Sequence, residues 1–447
     1  MSNLPTILVI VGVTGDLSKR KLLPAIERLA EAGQLPEDFR IVGITRREVT
    51  ARQILDALPN PDGYLFLKNH LEMYRMDLDE QADYRKLLLH LDKIEKSFGK
   101  PAQKLFYLSV PAQVSLSIIK MLGEAGLGKK PEAKLLPEKP FGADLESARE
   151  LIAESKKCFS EEQIYRIDHF LAKAMAQNLL VFRRSNSLFK RTWNKDFIER
   201  IEIMASEKIG IEGRATFYEQ TGALRDFLQS HLLQLAALTL MELPPGLEWD
   251  EVPRRRQAAL QAIIPPMSGQ IHEQVLRGQY RGYADEVKNP HSQTETFVSM
   301  TLFSGDPRWE GVPITLTTGK ALDKKCTEIR IHYRQEHAGE ANKLVLRIQP
   351  KEGIELDLWS KRPGYGRELE PVLLEFNYSG KGLPEAYEQV FLDAIRSDHT
   401  LFTSSEEVLA SWRILEPIQH AWSMDKNGPF TYDPGTPPET ILDNQTK

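Results

Sequence analysis

The chain has 447 residues, a formal net charge of −5 and a charged fraction of 27%. This length exceeds what one hydrophobic core ordinarily supports, so we expect two domains. No basic excess is available to neutralise phosphates, which excludes a nucleic-acid-binding protein. The two cysteines, Cys158 and Cys326, are too few for a disulfide scaffold and lack the clustered spacing of a zinc site, so we predict no metal.

The most apolar run near the N-terminus is ILVIVGV. It is too short to span a membrane and lacks the charged flank of a signal peptide. Because low cysteine content also suits a reducing compartment, we predict a cytoplasmic protein without a membrane partner.

The first third of the chain alternates apolar strands with helical stretches. The β-branched run TILVIV precedes the turn GVTGDLSKRK, and the helical spacing of LLPAIERLAEAG follows. Three further apolar strands are predicted in FRIVGITRRE, KLFYLSVP and KLLPEKPFG. This order predicts a parallel, doubly wound α/β domain of the Rossmann-like type over residues 1–167.

After about residue 196 the pattern changes to short segments that alternate apolar and polar residues. Seven such segments predict a large antiparallel sheet with one solvated face: FIERIEIMASE, TETFVSMTLF, VPITLTTGK, TEIRIHYR, NKLVLRIQP, GIELDLWS and PVLLEFNYS. A long apolar helix, RDFLQSHLLQLAALTLMEL, precedes most of them, and further helices end the chain. We therefore predict an α+β domain over residues 168–447.

The turn after the first strand is a candidate coenzyme site. Gly12 and Gly15 lie where strand passes to helix, so that backbone N–H groups can approach a pyrophosphate. Thr14 and Leu17 replace the second and third glycines of the usual fingerprint, and the pattern alone also fits an ordinary tight turn. At the end of the second strand Arg46 stands where NAD enzymes carry an acidic residue, which favours NADP, although a solvated arginine remains the alternative.

Several motifs, taken in order, resemble one known family. They are GVTGDLSKRKL, LPEKPFG, YRIDHFLAK, EGRATFYEQTGALRD, QSHLLQ, RWEGVPITLTTGKAL and WRILEPI. Together they resemble glucose-6-phosphate dehydrogenase over nearly the whole chain. The resemblance implies a Rossmann coenzyme domain joined to an α+β domain, and NADP-dependent oxidation of glucose 6-phosphate at C1 to 6-phosphogluconolactone, in the oxidative pentose phosphate pathway.

The resemblance also implies the roles of individual residues. His231 matches the catalytic base, and Asp168 matches the carboxylate that orients it. Without the resemblance, a histidine in an apolar helix is more often a core residue. A base that titrates near neutrality suits this chemistry, because a hydroxyl proton must leave C1 as the hydride departs.

The remaining site residues are assigned by the same resemblance. His169 and Lys173 match groups that hold the sugar phosphate, and their spacing of four would place them on one face if the segment is helical. Glu207 and Asp226 match acceptors for sugar hydroxyls. The further pocket residues are Lys320 and Gln349. The predicted NADP contacts are Gly12, Thr14, Gly15, Asp16, Leu17, Arg46 and Lys139, of which Lys139 also bridges to the substrate.

The chain departs from the family pattern at informative positions. Phe170 stands in place of a tyrosine whose hydroxyl would reach the phosphate. Cys326 stands where eukaryotic members carry a lysine for a second, structural NADP, so we predict a bacterial type without that site. The resemblance implies a homodimer or a dimer of dimers, with the sheet domain at the interface.

Two alternatives remain open from the sequence. One is the same hydride transfer from another hexose phosphate or a free sugar, because of Phe170. The other is a paralogue of reduced activity that binds coenzyme or sugar phosphate as a regulator, against which the retention of Asp168, His231, Lys139 and Lys173 counts.

Overall fold

The computed structural model describes residues 4–244, 246, 248–335, 341–378 and 382–445, which form two compact units. Unit 1 runs to Gly142 and adds Glu146–Ala172 and Pro384–Ser405. Unit 2 holds Ala143–Leu145, Lys173–Leu383 and the chain from Glu406 onward.

The strands alternate with helices in the first part of the chain and follow one another more directly in the second. In chain order they are β1 (Thr6–Val11), β2 (Phe39–Thr45), β3 (Leu71–Arg75), β4 (Gln103–Leu108), β5 (Ala133–Pro137), β6 (Arg166–Ile167), β7 (Ile198–Ser206), β8 (Ile263–Ile264), β9 (Val275–Tyr280), β10 (Phe297–Ser304), β11 (Ile314–Gly319), β12 (Cys326–Tyr333), β13 (Lys343–Gln349), β14 (Gly353–Lys361), β15 (Leu369–Asn377), β16 (Phe402–Thr403) and β17 (Phe430–Tyr432).

The α-helices range from single turns to the twenty residues of the penultimate helix. In chain order they are α1 (Leu23–Glu31), α2 (Ala51–Leu55), α3 (Leu65–His70), α4 (Gln81–Phe98), α5 (Ala112–Glu124), α6 (Leu145–Lys156), α7 (Ala174–Ser185), α8 (Ser187–Thr192), α9 (Ala215–Ala223), α10 (Leu233–Leu240), α11 (Val252–Ala262), α12 (Ile271–Gln274), α13 (Tyr283–Glu286), α14 (Ala386–Arg396), α15 (Ser405–Met424) and α16 (Pro438–Gln445). Two further segments, Ser18–Leu22 and Leu224–Leu232, have π-helical geometry.

Unit 1 is built on a five-stranded parallel sheet in the order β3-β2-β1-β4-β5. Every residue of β1 and β4 is buried, as expected for central strands that helices cover on both faces. The predicted doubly wound domain is therefore confirmed. The sheet's order reverses next to β1, so the turn after β1 lies where α/β folds of this type bind ligands.

The chain returns to unit 1 near its C-terminal end. Helix α14 packs against α1, and Arg28 pairs with Glu388 across 2.5 Å. The buried Lys134 ammonium donates to the carbonyl of Ala394 and to the hydroxyl of Ser397, at the C-terminal end of the same helix. This return brings Tyr387 into unit 1.

Unit 2 contains a sheet in the order β15-β14-β13-β12-β7-β11-β10-β9-β17, and β8 adds to it by pairing with β10. All seven alternating segments predicted from the sequence form strands of this sheet. Most neighbours are antiparallel as predicted, whereas β7 pairs with β11 and β9 pairs with β17 in parallel. Among the described residues, no helix combines the length and apolar character needed to cross a bilayer.

Candidate active site

The turn between β1 and the first helix leaves room for only a glycine at its start. Gly12 has a φ of 89°, and a Cβ there would lie 2.3 Å from the carbonyl oxygen of Ser109. Gly15 donates its N–H to the carbonyl of Gly12 at 2.9 Å, which closes the turn. The Ser18 hydroxyl oxygen lies 3.2 Å from the carbonyl oxygen of Gly12, to which it donates, and 3.0 Å from the hydroxyl oxygen of Ser109. The backbone can therefore approach a pyrophosphate closely here, where a helix begins.

The other predicted coenzyme residues of the turn are placed around it. Thr14 is half-buried beside Gly15, and the helix begins at Asp16 and Leu17. Both are exposed or half-exposed, and Asp16 pairs with Arg20 at 3.4 Å. Arg46 is exposed directly after the last residue of β2, and β2 neighbours β1 in the sheet. The guanidinium is thus at the same edge of the sheet as the turn, because the strands are parallel.

Lys139 directly follows Glu138, whose carboxylate is hydrogen-bonded by two tyrosines. Glu138 accepts hydrogen bonds from the hydroxyls of Tyr107 and Tyr387, the latter at 3.2 Å. Burial of this carboxylate raises the pKa of Glu138, and the tyrosine hydroxyls oppose the rise. The peptide bond between Lys139 and Pro140 is cis. The lysine therefore lies just past the end of β5, again at the carboxyl edge of the sheet.

Asp168 and His169 follow the short strand β6 in unit 1. Asp168 is 2% exposed, and its Oδ1 accepts the N–H of Phe170 at 3.0 Å. The His169 ring stacks with that of Tyr387 at 6.0 Å between centroids and lies 5.0 Å from that of Phe170. Phe170 itself is buried. Local hydrogen bonding thus fixes the Asp168 carboxylate in a turn.

The segment from His169 to Lys173 is not helical, so the condition for a shared helix face is not met. Residues 169–172 form turns, and α7 begins only at Ala174, with Lys173 as its extended N-cap residue. The two side chains therefore do not share a helix face. In unit 2 the positive charge of Lys173 lowers the pKa of Glu352, which burial raises more strongly. Glu352 also accepts the N–H of Met175 at 2.8 Å, which places this carboxylate at the start of α7.

The π-helical segment Leu224–Leu232 carries both Asp226 and His231. Backbone hydrogen bonds in such a helix join residues five apart, so Asp226 and His231 lie on successive turns of the segment. His231 is 1% exposed, and its ring lies 5.0 Å from that of Phe227 in an edge-to-face arrangement. Helix α10 continues the segment and is buried throughout. A buried helix therefore holds the predicted base.

Lys320 contacts both of the predicted sugar-binding carboxylates of unit 2. Its ammonium pairs with Glu207 and lies 3.9 Å from a carboxylate oxygen of Asp226. It also lies 5.0 Å above the ring of Tyr218, within the range of a cation–π contact. Burial, and then the charges of Asp226 and other carboxylates, raise the pKa of Tyr218 well above its usual value. We call Glu207, Asp226, Lys320 and Tyr218 the lysine cluster.

Backbone pairing explains why the lysine cluster forms. Glu207 follows β7 and Lys320 follows β11, and these strands pair in parallel with Ser206 opposite Gly319. The N–H of Glu207 donates to the carbonyl of Gly319 at 2.9 Å. The two residues therefore leave the sheet side by side. Gln349 lies at the end of β13, where its side chain donates to the hydroxyl of Thr327 at 2.9 Å.

Two aromatic residues that contact the predicted site residues were not predicted from the sequence. Tyr218 lies in α9, four residues past Arg214 in the motif that carried the resemblance. Helical spacing could not have indicated its place near Asp226, because the helix is interrupted at Gly222 between them. Tyr387 comes from the segment that returns to unit 1. Nothing local in its sequence indicates a contact with His169, more than two hundred residues earlier.

The first unit has a doubly wound sheet with a glycine turn, and the second has a buried histidine and a lysine–carboxylate cluster. This combination is typical of a nucleotide-dependent oxidoreductase. Residues 9–178 match the domain described as "Glucose-6-phosphate dehydrogenase, NAD binding domain", and residues 180–444 match "Glucose-6-phosphate dehydrogenase, C-terminal domain". The chain belongs to the glucose-6-phosphate dehydrogenase family. It is an oxidoreductase.

Relatives and solved structures agree with this membership. The chain is 36% identical to the glucose-6-phosphate 1-dehydrogenase of Chlamydia muridarum, with 94% of this chain and 90% of the relative covered. It is 35% identical to that of Bacillus subtilis, with 96% and 94% covered. A solved glucose-6-phosphate dehydrogenase in complex with its substrate glucose-6-phosphate is 30% identical, with a TM-score of 0.90 and coverage of 100% of this chain and 98% of the other.

Proposed function

We propose how this chain carries out its family's reaction, the oxidation of glucose 6-phosphate at C1 with NADP. The hydride leaves C1, the C1 hydroxyl loses its proton, and the products are 6-phosphogluconolactone and a reduced coenzyme. The observation that carries the proposal is the lysine cluster beside the helix of His231, in a chain whose whole length matches the family.

His231 is the proposed general base. A neutral imidazole accepts the C1 hydroxyl proton as the hydride departs, and histidine is the side chain that most often acts in this way. Asp168 is the proposed carboxylate that orients the imidazole and stabilises the imidazolium. Asp168 belongs to unit 1 and His231 to unit 2, so their partnership rests on the family match and not on a distance.

Glu207 and Asp226 are the proposed acceptors for sugar hydroxyls. A carboxylate offers about four lone-pair sites, so an ion pair with Lys320 leaves others for a ligand. Lys320 holds the carboxylates in place and reduces the cost of keeping two negative charges close together. The cluster would therefore bind a polyhydroxylated ring without large rearrangement. Gln349 is assigned to the pocket by the resemblance alone.

His169 and Lys173 are the proposed contacts of the sugar phosphate. Lys139 is the proposed residue that bridges the substrate and the coenzyme. Cationic side chains form charge-assisted hydrogen bonds with phosphate oxygens. The buried Phe170 offers no hydroxyl to the same group. We infer that phosphate affinity is lower than a tyrosine at this position would give, and that the preferred sugar is still a hexose phosphate.

The turn after β1 fits a dinucleotide. A Cβ at Gly12 would lie 2.3 Å from the carbonyl oxygen of Ser109, so the turn admits only glycine at its start. The turn leads from β1 into a helix, and a pyrophosphate binds at this place in folds of this type. NADP supplies the hydride acceptor when bound. Gly12, Thr14, Gly15, Asp16 and Leu17 would surround the pyrophosphate, Arg46 would pair with the 2′-phosphate, and Lys139 would reach the coenzyme from the end of β5.

We also infer that two copies associate through the outer end of the large sheet. The terminal strand β15 exposes four large apolar side chains, each 45–55% accessible: Leu369, Leu373, Leu374 and Phe376. An apolar edge of this kind ordinarily has a partner. A second copy is the proposed occupant, and the resemblance of the motifs to the family supports this choice. We further propose that the protein acts in the cytoplasm, where its free cysteines would stay reduced.

The test is formation of reduced coenzyme from a panel of sugars at saturating NADP. We expect kcat/KM for glucose 6-phosphate to exceed that for free glucose by at least about tenfold, the effect of one charge-assisted bond to the phosphate. We expect other hexose phosphates to be poorer substrates than glucose 6-phosphate, because Glu207 and Asp226 are the proposed acceptors for the sugar hydroxyls in which they differ. His231→Asn serves as the inactive control. A panel in which free glucose is the best substrate would contradict the proposal.

A further inference from the structure

A buried carboxylate from the segment that precedes β10 lies at the start of the helix that carries the proposed base. Glu295 is 6% exposed, and its Oε1 accepts the N–H of Leu224 at 2.9 Å. Its main-chain carbonyl accepts the N–H of Ala223 at 3.0 Å. The first residues of a helix have N–H groups without partners inside the helix, and negative charge is favourable there. Glu295 supplies an acceptor for one of these groups, and burial raises the pKa of its carboxyl group.

The chain bends sharply at this point to receive the carboxylate. Gly222 has a φ of 65° and a ψ of 176°, which interrupts α9 immediately before the π-helical segment. A Cβ on Gly222 would lie 2.4 Å from Oε1 of Glu295. The carboxylate therefore occupies the space that a side chain would need. The backbone conformation of Gly222 and the position of the Glu295 side chain therefore depend on each other.

The segment that leads into β10 also contacts the backbone at Lys320. Thr296, the next residue, accepts the N–H of Lys320 on its carbonyl at 2.9 Å. Phe297 then pairs with Gly319 where β10 meets β11. Residues 295–297 thus connect directly to the helix of Asp226 and His231 and to the turn of Lys320. They set the spacing between the two segments that form the lysine cluster.

We propose that Glu295 is a positioning residue for the reaction, acting through the start of the segment Leu224–Leu232. Its carboxylate fixes where that segment begins, and so where Asp226 and His231 project. Misplacement of a reacting group by about 1 Å can cost about 10²-fold in rate. The inference rests on the proposed function, because it assigns Glu295 the task of placing the proposed base.

Three variants separate positioning from general stabilisation. Glu295→Ala removes the acceptor of Leu224, and we expect kcat to fall by about 10- to 100-fold. Glu295→Gln keeps an oxygen of similar position, and we expect it to restore kcat to within about threefold of the parent, since a neutral hydrogen bond retains about half the strength. The Kd of NADP, measured by fluorescence titration, should stay unchanged in both variants.

Glu219→Ala is the matched control. Glu219 accepts hydrogen bonds from Tyr283, Asn289 and Ser292, so its loss also leaves partners unsatisfied in unit 2. We expect a lower Tm but a kcat within about threefold of the parent, because these bonds do not reach Leu224. The pH profile of kcat/KM should shift in Glu295→Ala and stay unchanged in Glu219→Ala.

The outcomes distinguish the inference from the proposed function. If Glu295→Ala keeps kcat within threefold, or if Glu219→Ala loses as much, Glu295 is not a positioning residue, whereas the proposed function still stands when His231→Asn is inactive. If His231→Asn remains active, the base assignment itself is wrong. Should Glu295→Ala fail to fold, Gly222→Ala, which displaces the carboxylate, is the second variant; an unchanged kcat there overturns the inference.

Discussion

Lys320 and Glu207 form an ion pair that is largely shielded from solvent, with side chains 4% and 21% exposed. Removing one partner of such a pair leaves an uncompensated charge, which typically costs about 3–5 kcal/mol. We expect Lys320→Ala to lower the free energy of unfolding by about 3 kcal/mol and to raise the KM of glucose 6-phosphate at least tenfold, since Glu207 and Asp226 would then repel each other.

Denaturant unfolding and steady-state kinetics test this expectation. Lys343→Ala is the control, because Lys343 and Asp357 form a pair on the same sheet with both side chains 38% exposed. Exposed pairs contribute about 0–1 kcal/mol. Equal losses of stability in the two variants would show that burial does not strengthen the Lys320–Glu207 pair. An unchanged KM in Lys320→Ala would show that the lysine cluster does not bind the sugar.

Coenzyme choice should depend on Arg46. Its guanidinium is exposed past β2 and can pair with a 2′-phosphate bidentately. Arg46→Ala should raise the KM of NADP by about tenfold or more, the value of one charge-assisted bond, and leave that of NAD nearly unchanged. Arg47→Ala should have a smaller effect in the same direction. Equal weakening of both coenzymes in Arg46→Ala would make Arg46 a structural residue.

Phe170→Tyr should improve phosphate binding. A hydroxyl that reaches a dianionic phosphate adds a bond worth about 1.5–3 kcal/mol, or about 10- to 100-fold in affinity. We expect a lower KM for glucose 6-phosphate, stronger discrimination against free glucose and little change in kcat, because the phosphate is remote from C1. Initial rates at saturating NADP measure all three. An unchanged or higher KM would mean that the pocket already compensates or that the natural substrate lacks this phosphate.

The apolar edge of the large sheet should control self-association. Leu374 and Phe376 are two apart on β15, so they project to the same face, and they are 55% and 52% exposed. The double variant Leu374→Asp, Phe376→Asp should be monomeric at concentrations where the parent is a dimer by light scattering. Leu65→Asp, at an exposed leucine of unit 1, should leave the mass unchanged. A parent that is monomeric throughout would contradict the proposed interface.

The sequence predicted those strands whose apolar residues are uninterrupted or strictly alternating. It missed β3, an edge strand in which Glu72 and Arg75 break the pattern. It also missed β9, where Arg277 and Gly278 interrupt the apolar run and Arg277 pairs with Asp425. An edge strand such as β3 buries fewer side chains, so its composition carries a weaker signal. Strand β9 is an inner strand between β10 and β17, and it was missed because Arg277 and Gly278 break the alternation of apolar and polar residues.

The site was predictable as a set of residues but not as a geometry. Resemblance assigned Glu207, Asp226 and Lys320 to one pocket, and the structure brings these three together. The bend at Gly222 could not be read locally, because it depends on Glu295, which is 71 residues from the Leu224 N–H it accepts. The turn at His169 likewise overrides the helical spacing that the local sequence allows.

The most direct test of the central claim is the kcat of His231→Asn with glucose 6-phosphate and saturating NADP. A general base contributes about 10²–10⁴ in rate, so we expect a loss of that size, a smaller loss in Asp168→Asn, and a nearly unchanged Kd for glucose 6-phosphate by calorimetry. Turnover of His231→Asn within a few fold of the parent, with the protein folded, would contradict the assignment of His231 as the base.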